Sequence, residues 1–195
     1  YNQRQHRVKT GERIADEFRR LNEEYGLRYF FGADDNFFND EQRTLEIIEA
    51  LRQAKFAGGR EVRKVVRWGT EVTVHDTLRL RDHIKAVRAA GIRALWLGVE
   101  DMTATLVKKG QSVDKTSEAF RLLVSNGINA MPMMMHHASQ PLYTPGRPYG
   151  LLNQIKILRK AGAVSLQRLM LSPAVGSKLY VETWTSGLAY ESVGG

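Results

Sequence analysis

Residues able to do chemistry recur in this 195-residue chain just past apolar runs: Asp34 and Asp35, Glu71 and His75, Glu100 and Asp101, His136 and His137, and Ser172-Pro173. A carboxylate accepts hydrogen bonds from vicinal hydroxyls or from an ammonium, and a histidine in a cleft can move a proton near neutral pH. The sharpest of these places is Arg93-Ala94-Leu95-Trp96-Leu97-Gly98-Val99-Glu100-Asp101, an apolar run that stops at a glycine and two carboxylates. It reads as a buried strand, covered on both faces in a parallel sheet, that ends in a site.

Each candidate has a plainer reading beside the functional one. Asp34 and Asp35 suit the start of a helix, where negative charge complements the dipole, and Glu100 could cap a short helix. Lys109-Gly110 suits an ordinary helix C-terminus. Adjacent residues of a strand point to opposite faces, so His136 and His137 cannot easily serve one metal ion, and no metal ligand is expected. His136 is carried as a catalytic candidate at the mouth of the fold, for substrate contact or proton transfer. Met133 and Met135 share a face and could line an apolar substrate cavity, although methionine is more often core filler. Residues 138–150, with Pro141, Pro145 and Pro148, read as a long loop over the active side.

The elements that must position these groups show in a repeat of glycines, Gly26, Gly59, Gly91, Gly127 and Gly162. Their spacing, roughly 32 to 36 residues, is close to the ~31 of one strand-plus-helix module in a barrel of eight. Segments before the glycines have helical periodicity, such as Ile14, Phe18, Leu21 and Tyr25, and later Ile155 and Leu158. Those after them are short and strand-like: 27–31, 62–68, 92–99, 128–135 and 164–171. Asn39, Asp76 and Asp114 are the expected N-caps, and glycines the expected C-caps. Alternation of this kind predicts an α/β fold with parallel strands whose carboxyl ends share one side, and five strands are too few to close an eight-stranded barrel.

Composition narrows the function classes. A hydrophobic fraction of 43% with 26% charged residues fits one domain over residues 1–195. No apolar run approaches the ~20 residues of a membrane span and none resembles a leader, so no membrane partner and a cytoplasmic location are expected. The net charge of +8 is scattered along helices among acidic residues, so no nucleic-acid partner is expected. With no cysteine, the chain has neither disulfides nor thiolate metal ligands.

The order "YFFGADDNFFND", "LWLGVEDMTATLVKKGQSVDKTSEAFRLLVSNGI" and "LMLSPAVGSKLYVETWTSG" resembles the radical S-adenosylmethionine (SAM) superfamily, in particular the branch that often carries an upstream cobalamin-binding domain. The resemblance implies a partial (β/α) barrel, TIM-like, whose first strand is missing here. It also implies a CxxxCxxC loop after that strand, where thiolates hold a 4Fe-4S cluster against S-adenosylmethionine and reduction yields a 5′-deoxyadenosyl radical. Lacking cysteine, the chain is expected to be a truncated core whose cluster ligands lie in an upstream part of the same chain.

Residue by residue, the resemblance puts Asp34 and Asp35 near the methionyl amine and Glu100 on the ribose hydroxyls of S-adenosylmethionine. It puts Lys109 toward a carboxylate and Pro173, in the last strand and turn, near the adenine. The implied partners are a small-molecule substrate and an electron donor, with cobalamin as a further cofactor. Two other classes compete: a cluster-free scaffold binding an adenosyl nucleotide or a protein, and a hydrolase or lyase using Asp34, Glu100 and His136.

Overall fold

A computed structural model describes residues 8–104, 112–137, 140–173 and 175–187, and shows five parallel strands in the order β1-β2-β3-β4-β5 curled into a partial barrel. The strands are β1 (Tyr29–Gly32), β2 (Arg67–Thr73), β3 (Ile92–Glu100), β4 (Asn129–His136) and β5 (Gln167–Met170). The helices are α1 (Gly11–Tyr25), α2 (Glu41–Gln53), α3 (Val62–Val65), α4 (Val74–Arg79), α5 (Ile84–Ala89), α6 (Val113–Ser125), α7 (Leu151–Lys160) and α8 (Lys178–Thr185). Helix and strand alternate as the glycine repeat predicts. No described helix is long and apolar enough to cross a membrane.

The burial of β3 alternates strictly from Leu95 onward, which fixes the two faces of the sheet. Leu95, Leu97 and Val99 are fully buried, on the same side as Ile84 and Val87 of α5 and Phe120 and Leu123 of α6 in one continuous core. Trp96, Gly98 and Glu100 are half-buried on the other, concave face. The expectation of a strand covered on both faces is therefore corrected: helices cover one face and the other lines a cavity. At the β1 edge, Phe18 of α1 meets Phe30 at a tilt with ring centroids 4.6 Å apart, and Phe37 meets Trp68 edge-on at 5.3 Å.

The second strand lies later than its apolar pattern suggests. Val62–Val65 is a helical turn and β2 runs from Arg67, so Glu71 stands within the strand rather than beyond it. Three caps also move: Asp40, Thr73 and Ser112 accept the first backbone N–H bonds of α2, α4 and α6. Asp76 is thereby released from capping for a different bond. Gly26 closes α1 in the left-handed region at φ 69° as expected, whereas α2 ends at Ala54, not Gly59.

Gly69 of β2 makes a close approach possible. A Cβ there would come within 2.6 Å of the Ala94 carbonyl oxygen and 2.8 Å of Cζ3 of Trp96, so the missing side chain lets the indole lie across β2. There the indole meets Phe31 edge-on, with centroids 4.9 Å apart. Gly69→Ala is expected to lower stability by about 1–3 kcal/mol, because backbone cannot yield as a flexible side chain would. The midpoint of a urea titration measures it.

Candidate functional site

Glu100 ends β3 with φ 56°, in the left-handed region that an L-residue enters at a cost of roughly 1–2 kcal/mol. Such strain persists only where surrounding contacts fix it, and it concentrates at functional sites. The conformation turns the side chain back over the strand: Oε1 lies 3.5 Å from where a Gly98 Cβ would stand. Gly98 thus leaves the space that the carboxylate overlooks.

Next to this turn, Asp101 and Gln154 hold the chain in place. Asp101, 1% exposed, accepts hydrogen bonds at Oδ1 from the Thr103 N–H (3.0 Å), the Thr103 hydroxyl (2.6 Å) and Gln154 Nε2 (2.8 Å). Gln154 of α7 is fully buried, and its Oε1 accepts from the Met102 N–H at 2.8 Å. The segment after β3 is therefore clamped to a helix more than fifty residues further on. Asp101 is held inside that clamp, so Glu100 is the carboxylate of the pair that lines the cavity.

A second network anchors the segment after β1. Asn36 donates to Asp76 Oδ2 (2.7 Å) and accepts from the Thr73 N–H (3.2 Å), while Phe37 N–H donates to the Glu71 carbonyl (2.9 Å). Asp76, buried at the start of α4, also accepts from the Thr73 hydroxyl at 2.8 Å and pairs with Arg79 at 3.1 Å. This pinning brings Asp35 to the cavity that Glu71, His75, Gly98 and Glu100 line, a space of about 860 Å³ at the carboxyl ends of the strands. Asp34 faces elsewhere, into a separate space of about 630 Å³ beside α1. The acidic pair is split between two environments.

The other sequence candidates fall as follows. His136 shares the buried face of Pro132 and Met134, not the concave face of Met131, Met133 and Met135. Its Nδ1 lies 2.9 Å from Gln140 Oε1, and its carbonyl accepts from the Leu171 N–H at 2.7 Å. The structure does not bring it to the Glu100 cavity. Pro173 lies past the carboxyl end of β5, at the other edge of the sheet from the strand that Asp35 follows, and Lys109 lies outside the described residues.

Sequence reasoning passed over Lys115 of α6, which lines the cavity, and the Arg81–Glu118 ion pair at 2.7 Å on its rim. Placing the helix start at Ser112 would have shown Lys115 in the first turn. It also passed over Gln154, for which a single helical position carries no local signal. At the other end of the strands, burial and then the neighbouring Arg88 and Arg67 lower the Arg93 guanidinium to about 10. Arg93 donates there to the Arg88 and Ile92 carbonyls, an end-of-helix role remote from the cavity.

Comparisons with known proteins bear on the fold that carries this site. No family model matches the chain. It is 28% identical over 123 residues, 62% of its length and 19% of the relative's, to an anaerobic magnesium-protoporphyrin IX monomethyl ester cyclase of Cereibacter sphaeroides. It is 23% identical over 188 residues, 93% of its length and 33% of the relative's, to a cytidylyl-2-hydroxyethylphosphonate methyltransferase of Streptomyces wedmorensis. Among solved structures it superposes with a TM-score of 0.65, at 14% identity, on the radical S-adenosylmethionine methyltransferase TsrM of Kitasatospora setae with cobalamin and a [4Fe-4S] cluster bound. That superposition covers 83% of this chain and 31% of TsrM.

The fold is thus that of the radical SAM core. The solved structures it resembles include, besides TsrM, the cobalamin-dependent S-adenosylmethionine radical enzyme OxsB at a TM-score of 0.57 and the radical SAM coproporphyrinogen III oxidase of Escherichia coli at 0.53. The chain spans about a fifth of the first relative's length and a third of the second's.

Proposed function

We propose that the chain is the part of a radical SAM core that binds S-adenosylmethionine and positions a small-molecule substrate beside it. The observation that carries this reading is the strained Glu100, whose carboxylate overlooks the space left by Gly98 at the strand ends. Those residues fit the nucleoside: a carboxylate accepting from two vicinal hydroxyls, over a strand position with no side chain to obstruct them. Asp35 holds the methionyl ammonium, with Asp34 behind it at the edge of β1. Lys109 takes a carboxylate, Pro173 lies toward the adenine, and His136 acts from behind the sheet by fixing the loop after β4 through Gln140.

The cluster is a different matter. The chain has no cysteine, and among the described residues no group of three or more His, Asp and Glu could hold a metal ion. In this reading the cluster's ligands belong to an upstream part of the protein, as does any cobalamin site. A cluster held upstream and reduced by an electron donor would supply the one electron that cleaves the sulfonium into methionine and a 5′-deoxyadenosyl radical. This chain's own residues orient the cofactor and keep competing groups away from it.

The test is anaerobic iron-sulfur reconstitution of the chain extended upstream, followed by an assay for 5′-deoxyadenosine under reduction. Product formation dependent on S-adenosylmethionine supports the reading. An extended chain that binds S-adenosylmethionine without iron and releases no 5′-deoxyadenosine leaves a cluster-free adenosyl-binding scaffold in its place.

A further inference from the structure

We propose that Glu71, with the Trp96 indole beside it, is a substrate subsite that takes a protonated amine carried on a flat apolar body. The proposal rests on the reading of Glu100 as the cofactor's carboxylate and names what lies beneath it. Three strands build the subsite in register: Glu71 of β2 stands opposite Trp96 of β3, which stands opposite Met131 of β4. The next inward rung is Thr73, Gly98 and Met133. Gly98 therefore leaves an open lane on the concave face between Thr73 and Met133, with Glu71 one rung below and the Glu100 carboxylate over it.

The lower end of the lane is apolar. Opposite Glu71 the Trp96 indole lies across Gly69 and meets Phe31 edge-on, so the strand position before Glu71 on this face is covered by aromatic surface. Glu71 itself is half-buried, and its carboxylate has no hydrogen-bonding or charged partner among the described residues. A carboxylate partly removed from water in this way gains most from a cation, and the apolar indole in the adjacent strand position suits a flat apolar body attached to it.

The other charged groups of the cavity are Asp35, which follows β1, and those of the helices and of the end of β3. Arg81 is paired with Glu118 and Arg79 with Asp76, while His75 and Lys115 sit on α4 and α6, beyond the strand ends. Glu100 is four residues further along β3 than the rung that holds Glu71, so one ligand can occupy the lane while another is held above it.

Two probes of like size and opposite charge, 2-phenylethylammonium and 3-phenylpropionate, test the subsite by titration into chain labelled with ¹⁵N at the indole nitrogens. Trp96→Phe assigns the Trp96 signal. The ammonium probe is expected to shift that signal and to bind about tenfold more tightly than the carboxylate. Glu71→Gln is expected to abolish the preference and Glu71→Asp, which keeps the charge, to retain it, both with unchanged circular dichroism. Equal binding of the two probes, no shift with either, or an undiminished preference in Glu71→Gln overturns the proposal. S-adenosylmethionine binding, measured on the same samples and on Glu100→Ala, reports separately. If Glu100→Ala binds it as the parent does, the cofactor reading fails while the probe result at Glu71 stands.

Discussion

Glu100→Ala is expected to weaken S-adenosylmethionine binding about ten- to a hundredfold, and Glu100→Gly to do the same while raising stability by up to about 1 kcal/mol. The binding loss follows from hydrogen bonds to a charged acceptor, each ~1.5–3 kcal/mol when the partner is removed, with ~1.4 kcal/mol per decade of affinity. The opposite sign for stability follows from φ 56° at this position, which glycine adopts without the penalty that glutamate and alanine both bear. Equilibrium dialysis of the upstream-extended chain gives the first quantity and urea unfolding the second. A group that merely caps or packs would lose stability on truncation and leave the ligand untouched. Parent-like affinity in both variants would sink the assignment of the ribose contact to Glu100.

Gln154→Leu is expected to cost about 2–4 kcal/mol of stability and to lower S-adenosylmethionine affinity as well, although residue 154 lies on the buried side of α7. Leucine fills a similar volume but removes a donor from the Asp101 carboxylate and the acceptor of the Met102 N–H, both in a segment closed to water. Leaving buried polar groups unpaired costs more than the bond contributed when made, and a carboxylate is the dearer case. Because those two bonds hold the segment next to Glu100, its left-handed turn relaxes when they go. The two effects separate by measurement. Lost stability with parent-like affinity means that the clamp serves the fold alone, whereas both losing together means that it aims Glu100.

The sequence by itself determined the alternating order of helix and strand and the ends at which chemistry gathers. Period and punctuation are local: the glycine spacing and the runs of 92–99 and 128–135 need no distant contact to be read. The Gly-x-Glu ending of the central strand was legible for the same reason. Short apolar runs were not, since Val62-Arg63-Lys64-Val65 suits a turn of helix as well as a strand. Only its packing, with Val62 and Val66 buried, selected the helical turn and moved Glu71 into β2.

Which face a strand residue takes was decided by the tertiary structure. A strand's period is two, so a shift of one residue exchanges the faces, and register against neighbouring strands sets the phase. That is why His136 lies behind the sheet with Met134 while Met133 enters the lane. The parting of Asp34 from Asp35 depends on Asn36 bonding forty residues away to Asp76. The segment next to the strained Glu100 is held by a glutamine more than fifty residues distant. Hydrogen bonds across such separations leave no period in the chain, because what joins their partners is the closure of the fold around them.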